Sequence, residues 1–506
     1  MNRYKNYKQN INHIWKINIS RGKKFITTVI ATVAFLLFTL NLSAAATEAK
    51  HYTELDLKPL PEIKLPKYER YTLNNGMIVY LMENHELPLV NGSAIIRTGD
   101  RWEPADEVGL AQVTGAVMRS GGTKIHPADQ LNEMLEQRAA SVETGIGGTA
   151  GSTSFNSLTE DLDTVFALFA EVLQQPAFPE DKLTLAKTQK KGEIARRNDD
   201  PNSIARREFG KLIYGENSPY ARTAEYSTLE NITREDLIGF YQKYFHPNNI
   251  ILGIEGDFDS TKMKSLIQKN LGSWKADSNV GKFKLPSVSQ AKKNGIFFVN
   301  QPQLTQSNIL MGHLGGYFKS PDYPALSVMN NVLNGFGGRL FNEVRSRQGL
   351  AYSVYGYWSP RYDYPGTFIA GGQTRSDATV QFIKSLQEEI KRIQTQPITE
   401  KELNFAKEST LNSFVFNFQN PVQTLSRLMR YEYYGYPKDF LFNYQKVVKA
   451  TTTKDVQRVA QQYLKSDDLV TLVVGSQNAI NPPLSQISAQ VTPIDVTIPT
   501  PEQGRS

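Results

Sequence analysis

Short segments of this chain recur at a nearly fixed spacing. Residues 183–187 (LTLAK) are answered by 403–407 (LNFAK), and Asp200-Pro201 by Asn420-Pro421, both at an offset of 220. Residues 233–236 (TRED) are answered by 452–455 (TTKD), Tyr244 by Tyr463, and 254–256 (IEG) by 473–475 (VVG), all at 219. Upstream, Asp106 and Leu110 match Asp322 and Leu326 at 216. A spacing held this evenly marks a tandem duplication, which has to be recognised before any fold is assigned. The chain, at 506 residues, is also too long for a single core. It reads as two copies of one unit of roughly 200 residues each, within the usual domain range.

The first copy gives the clearer pattern. Strands are expected at 68–73 and 77–82 around Asn75-Gly76, a hairpin signal, with a third at 90–98. A helix over 107–118 should stop at Gly121-Gly122, and 141–155 reads as a glycine-interrupted strand pair. Leu162, Val165, Phe166, Phe169 and Leu173 stripe one face of a helix, and another runs from about 180 to 198. More helix follows Asp200-Pro201, Thr233 and Asp236 form a capping box, and 250–254 is a closing strand. Residues 323–334 are the second copy's counterpart of 107–118. The expected class is α+β: two duplicated domains, each a mostly antiparallel sheet with packed helices, spanning 68–274 and 295–476. A polar linker, 275–294, joins them. An extended arm (47–67) precedes them, and a proline-rich tail (477–506) follows, either loose or laid along a surface.

The formal charge of +7 suggests nucleic acid or an anionic membrane, but its distribution removes that reading. Residues 1–46 hold seven of the 57 basic side chains and no acid, so the remaining 50 bases balance 50 acids. No basic stripe interleaved with aromatics follows, and no nucleic-acid partner is expected. The basic leader runs into an apolar stretch at 25–42 and then Ser43-Ala44-Ala45-Ala46, which is the layout of a signal peptide over 1–46. Export to a periplasm is expected, with inner-membrane anchoring through 25–42 as the alternative. The absence of cysteine excludes disulfides, thiolate metal sites and Cys nucleophiles.

Residues 335–357 (GFGGRLFNEVRSRQGLAYSVYGY) carry the clearest candidate for binding. Gly335, Gly337 and Gly338 open it, RLFNEVRSRQ reads as a short helix ended by Gly349, and AYSVYGY as an aromatic strand. Arg345, late in the helix, and Tyr352, early in the strand, can converge beyond the turn. A guanidinium fork beside a neutral hydroxyl suits a peptide carbonyl or carboxylate.

The duplicated α+β halves, the helix ending in Gly-Gly-Thr and the GGRLFNEVRSRQGLAYSV segment together resemble the pitrilysin/insulinase family of inverted-zincin peptidases. More closely they resemble the bacterial members related to mitochondrial processing peptidase subunits, which implies the LuxS-like metallohydrolase fold. Members cleave peptides with zinc held on H-x-x-E-H, the two His binding the metal and the Glu activating its water. Here 109–123 reads GLAQVTGAVMRSGGT, so the His positions are Gln112 and Ala116 and the base position is Gly115. Glu193, 77 residues beyond Ala116, stands where the third ligand would be, alone or as an ordinary solvated helix residue. None of the six histidines shares ligand spacing with another. No catalytic residue, metal or cofactor is therefore expected on this chain, and zinc is expected on a partner.

The resemblance also implies that Arg345 and Tyr352, with the family's seven-residue spacing, bind substrate and stabilise a developing oxyanion. Gly335, Gly337 and Gly338 fall where zinc-free processing-peptidase subunits carry a glycine-rich substrate loop. The leading expectation is a periplasmic zinc-free subunit that pairs with a homologous zinc-bearing peptidase to hydrolyse peptides. The alternative is a stand-alone pseudoenzyme, monomeric or homodimeric, that binds a peptide or protein without cutting it.

Overall fold

The computed structural model describes residues 65–499 apart from 281–282 and 419, so the leader, the 25–42 stretch and most of the arm lie outside the described residues. In the first half, β1 (Glu69–Thr72), β2 (Ile78–Glu83), β3 (Leu89–Ile96), β4 (Ser141–Ile146), β5 (Gly151–Leu158) and β6 (Ile250–Gly256) make one sheet, ordered β1-β2-β6-β3-β5-β4. Only β2 and β6 run parallel. In the second half, β7 (Ile296–Asn300), β8 (Gln306–Leu314), β9 (Ala351–Ser359), β10 (Thr367–Arg375), β11 (Val470–Gly475) and β12 (Val491–Pro493) are ordered β12-β7-β11-β8-β10-β9. Here β7 runs parallel to both β11 and β12. The fold is α+β in two such halves.

Five strands correspond between the sheets, and the sixth position is filled differently. In the first half it is β1, from the preceding hairpin. In the second it is β12, from the proline-rich tail, so the tail is neither loose nor merely laid on a surface. Ile494 and Val496 continue it against the second sheet, and Ile498 reaches the first half's core.

The first half's helices are α1 (Leu110–Ser120), α2 (Ala128–Glu136), α3 (Leu162–Gln174), α4 (Glu180–Ala195), α5 (Pro201–Tyr214), α6 (Tyr226–Asn231), α7 (Arg234–Tyr244) and α8 (Ser260–Leu271). Those of the second are α9 (Tyr323–Leu333), α10 (Thr379–Thr395), α11 (Glu400–Val415), α12 (Pro421–Tyr434), α13 (Phe440–Ala450) and α14 (Thr453–Tyr463). Val113 and Val117 of α1, Phe166 and Phe169 of α3 and Leu237 of α7 are buried with Val79, Ala94 and Phe155 of the sheet. The capping box of Thr233 with Asp236 forms and opens α7, and its repeat counterpart, Thr452 with Asp455, opens α14 in the same way.

The two proline-led helices do something the repeat does not announce. The Asp200 carboxylate accepts from Ser203 N–H and the Asn420 carbonyl from Gln423 N–H, each at 2.8 Å, and so cap α5 and α12. Each helix then covers the other half's sheet. Ile204, Phe209 and Ile213 of α5 pack on Val299, Leu310 and Leu472, while Leu425, Leu428 and Met429 of α12 pack on Tyr80, Met82 and Ile251. Glu432 of α12 adds a fork with Arg70 at 3.1 and 2.9 Å and accepts from Tyr80 Oη at 2.7 Å.

Two expectations shift. The helix foreseen from 107 begins at Leu110, after a separate 3₁₀ turn over Ala105–Glu107. The 339–348 helix is π-helical over Phe341–Arg347, with Gln348 N–H bonding Glu343 O at 3.0 Å. That wider turn lets Arg347 Nε and Gln348 Nε2 both reach the Glu343 carboxylate, at 2.8 and 3.0 Å. The 275–294 segment is packed: Phe283 lies 5.3 Å from Trp102 and 4.9 Å from Tyr244, ring to ring.

Candidate functional site

The helix that carries the degenerate zinc motif is held from outside. The Glu103 carboxylate accepts from Gly109 N–H at 3.1 Å and Ala111 N–H at 3.0 Å, supplying the cap that Gly109 itself cannot. Burial pushes this carboxyl up to about 7, against the pull of those two amides. Gln112 and Ala116, four residues apart, share the exposed face of α1, while Gly115 is buried. A Cβ at Gly115 would lie 2.6 Å from Ile146 N and 2.9 Å from Gly145 C, and Thr144 Oγ1 donates to Gly115 O at 2.5 Å. Strand β4 occupies the space where a basic side chain would have to begin.

Glu193 meets this face from the end of α4, and between them stands a residue that the motif does not include. Lys190 Nζ donates to Glu193 Oε2 at 2.7 Å and to Gln112 Oε1 at 3.0 Å. An ammonium thus links the first His position to the third-ligand position. Glu193 is a solvated helix residue, its side chain 65% exposed, that also pairs with Lys190 three residues earlier. Zinc does not fit this donor set: one carboxylate, one amide and a resident cation cannot replace two imidazoles and a free carboxylate. Among the described residues no group of three His, Asp or Glu side chains could hold a metal ion. Lys190 carried a weak signal in the sequence, its i,i+3 spacing from Glu193. Glu103 carried none, lying seven residues before the helix it caps.

A cavity of about 370 Å³ opens beside this face, lined by Glu103, Gln112, Lys190, Glu193 and Arg222 and, from the second half, Tyr364. Tyr364 stacks on Tyr220 with ring centroids 4.3 Å apart. Neither Arg345 nor Tyr352 lines it.

Those two lie together in the second half. The Arg345 guanidinium sits 5.0 Å from the Tyr352 ring centroid and 4.8 Å from that of Phe341, between two aromatic faces. Phe341 is edge-on to Phe336 at 5.1 Å, and Tyr352 and Phe336 are 85% and 83% exposed. Tyr352 stands on β9, the edge strand of its sheet, which among the described residues pairs only with β10.

The three glycines divide. Gly335, at φ +76, turns the chain out of α9. A Cβ at Gly337 would meet the Phe405 ring at 2.7 Å, and one at Gly338 would meet Asn334 O at 2.1 Å, so both are needed for close packing. The loop is anchored behind: Asn334 accepts from Gly356 N–H at 2.9 Å, and Arg339 Nε donates to Glu402 at 2.7 Å. Burial would raise the Glu402 carboxyl, but Arg339 and the Thr399 amide hold it down at about 2.

The four described histidines, His85, His126, His246 and His313, each have a protein partner. His126 Nδ1 lies 2.7 Å from Glu171 and His85 Nδ1 2.6 Å from Asp257. His313 is buried, its Nε2 accepting from Lys465 N–H at 3.0 Å.

Two α+β repeats, with a peptidase's motif helix stripped of its donors and the Arg–Tyr pair kept, define a peptidase-like fold without the metal centre. Comparison with known proteins gives the same peptidase-like fold. The model described as Insulinase (Peptidase family M16) matches residues 79–219, and the Peptidase M16 inactive domain matches 231–410. The chain belongs to the insulinase, or M16, peptidase family, and its second half matches that family's inactive domain. It is 25% identical over 414 residues to the uncharacterized zinc protease YmxG of Bacillus subtilis, covering 81% of this chain and 99% of that one. To the Helicobacter pylori protein described as the non-peptidase homolog YmxG it is 23% identical, covering 78% and 91%. The crystal structure of a peptidase M16 inactive domain from Pseudomonas fluorescens superposes with TM-score 0.73 at 24% identity, covering 82% of this chain and 100% of the other.

Proposed function

We propose that this chain is the zinc-free subunit of an exported two-chain metallopeptidase. In that assembly a homologous chain with intact H-x-x-E-H holds the metal, and this one grips the peptide through Arg345 and Tyr352. The observation that carries the reading is the pairing of those two side chains on an accessible surface, beside an open strand edge, in a chain whose motif helix has lost its donors. Phe341 and Tyr352 restrain the guanidinium from both sides, so less freedom is lost when it bonds a carbonyl. An extended peptide can pair with the free N–H and C=O groups of β9, and Arg345 and Tyr352 Oη then donate to the carbonyl under attack. The Gly335–Gly338 turn presents Phe336 as an apolar contact beside them. The leader at 1–46 supports a periplasmic location, or anchoring through 25–42.

A second reading has its own support: a stand-alone module that holds a peptide or protein uncut, as a monomer or homodimer. The Lys190 link favours it, since a salt-bridged motif face is stable without any metal-bearing partner.

The test is co-expression with an exported H-x-x-E-H homologue, size exclusion and a peptide-cleavage assay. A heterodimer that cuts where neither chain alone does, and that loses at least tenfold in kcat/KM on Arg345→Ala or Tyr352→Phe, supports the split enzyme. The double variant should be little worse than the worse single, because the pair acts as one unit. A cutting heterodimer indifferent to both substitutions refutes the assigned roles. No complex at all leaves the binding module.

A further inference from the structure

Away from both regions, the helical layer of the second half encloses a cavity of about 520 Å³ with an unusual charge balance. Three arginines, Arg361, Arg427 and Arg430, line it, and no carboxylate does. None of the three forms an ion pair among the described residues. Arg427 bonds Asn417, yet its Nε is buried without a partner. Arg361 and Arg430 also line a neighbouring cavity of about 470 Å³, whose one carboxylate, Asp363, is already paired with Arg101 at 2.8 Å.

Like charges gathered in a half-enclosed space repel one another, and a buried guanidinium N–H left unbonded adds its own cost. An anion in the cavity relieves the repulsion. The rest of the wall is aromatic: Tyr362, stacked at 4.5 Å on Phe318, closes one side, and Phe414 and Tyr444, 5.6 Å apart, form another. Ser413 and Asn417 add polar groups at the rim. The volume is that of a small-ligand site, with a lining more polar than apolar.

From this geometry we infer that the cavity binds a small dianionic oxyanion carried on an aromatic body, an aryl phosphate being the simplest example. Arginine forks receive the oxyanion in pairs of parallel hydrogen bonds, and the ring takes the place of solvent between Tyr362 and Phe414. Three cations call for two negative charges rather than one. The site is separate from Arg345 and Tyr352, so it stands whether or not the chain is a peptidase subunit.

Calorimetric titration of the whole exported chain at low salt with phenyl phosphate, inorganic phosphate, phenylacetate and benzyl alcohol tests this. Phenyl phosphate should bind at least tenfold tighter than each of the others. Arg361→Gln with Arg430→Gln should weaken it at least tenfold. Both side chains are exposed, so folding is not at risk. Lys401→Gln with Lys449→Gln, an equal charge change outside the cavity, should leave binding unaltered. Failure of phenyl phosphate to bind, equal binding of phenylacetate, or indifference to the arginine pair overturns the inference.

Discussion

Gly115 tests how the motif helix is seated. In an open helix interior, replacing Gly by Ala stabilises by about 1 kcal/mol, because Ala loses less backbone freedom on folding. Gly192 on α4 is such a site, with nothing within 4 Å of a Cβ built there. At Gly115 the same methyl would lie 2.6 Å from Ile146 N and 2.9 Å from Gly145 C, both backbone atoms of β4. Neither can rotate away, so the strand or the helix must move, and the Thr144–Gly115 hydrogen bond stretches with it. Overpacking of this kind costs about 1–3 kcal/mol, which exceeds the propensity gain. Gly115→Ala should therefore lower stability by about 1 kcal/mol while Gly192→Ala raises it by a similar amount. Urea unfolding followed by far-UV circular dichroism gives both midpoints at unchanged m. If both variants are stabilised, β4 is not pinned against α1, and the claim that the base position is closed is wrong.

The Lys190 link predicts how zinc could be regained: Gln112→His with Ala116→His should bind zinc weakly, and adding Lys190→Ala should tighten it at least tenfold in a chelator-competition titration. Equal affinity with and without Lys190 would mean that its ammonium does not hold the site. His313 gives a pH signature. Burial lowers its pKa below the usual 6.5, so its contribution is complete above about pH 6.5 and is lost as pH falls through the lowered folded value. His313→Gln should flatten the fall in urea midpoint as pH drops below about 6.5, and an unchanged slope would show that other groups cause it.

Much of this architecture was legible locally. The 219–220 offsets identified two copies, the capping box at Thr233 and the Asp200-Pro201 pair marked two helix starts, and the repeat carried both to Thr452 and Asn420. Each helix-start signal lies within about four residues of its effect, the range over which side chains cap their own helices. The loss of donors at Gln112, Gly115 and Ala116 was equally plain, since it depends only on residue type. That Arg345 and Tyr352 lie near each other followed from one helix, one turn and one strand.

What the sequence could not supply were contacts between distant segments. Lys190 reaches Gln112 across 78 positions because α4 crosses α1, and no local rule fixes that crossing. The turn at Phe341–Arg347 is π-helical, and there Arg347 and Gln348 share Glu343, a choice between nearly equal helical forms that residue pattern does not fix. The proline-rich tail supplies an edge strand because β7 had a free edge to offer. Most of all, α5 and α12 have the apolar stripe of helices that cover a sheet, but a stripe does not say which sheet. By itself the sequence determined two α+β repeats, their helix starts and an emptied metal motif. Only the tertiary structure decided that each repeat lays a helix on the other's sheet, because burial rewards apolar area wherever it is found and leaves the choice of partner to the shape of the whole chain.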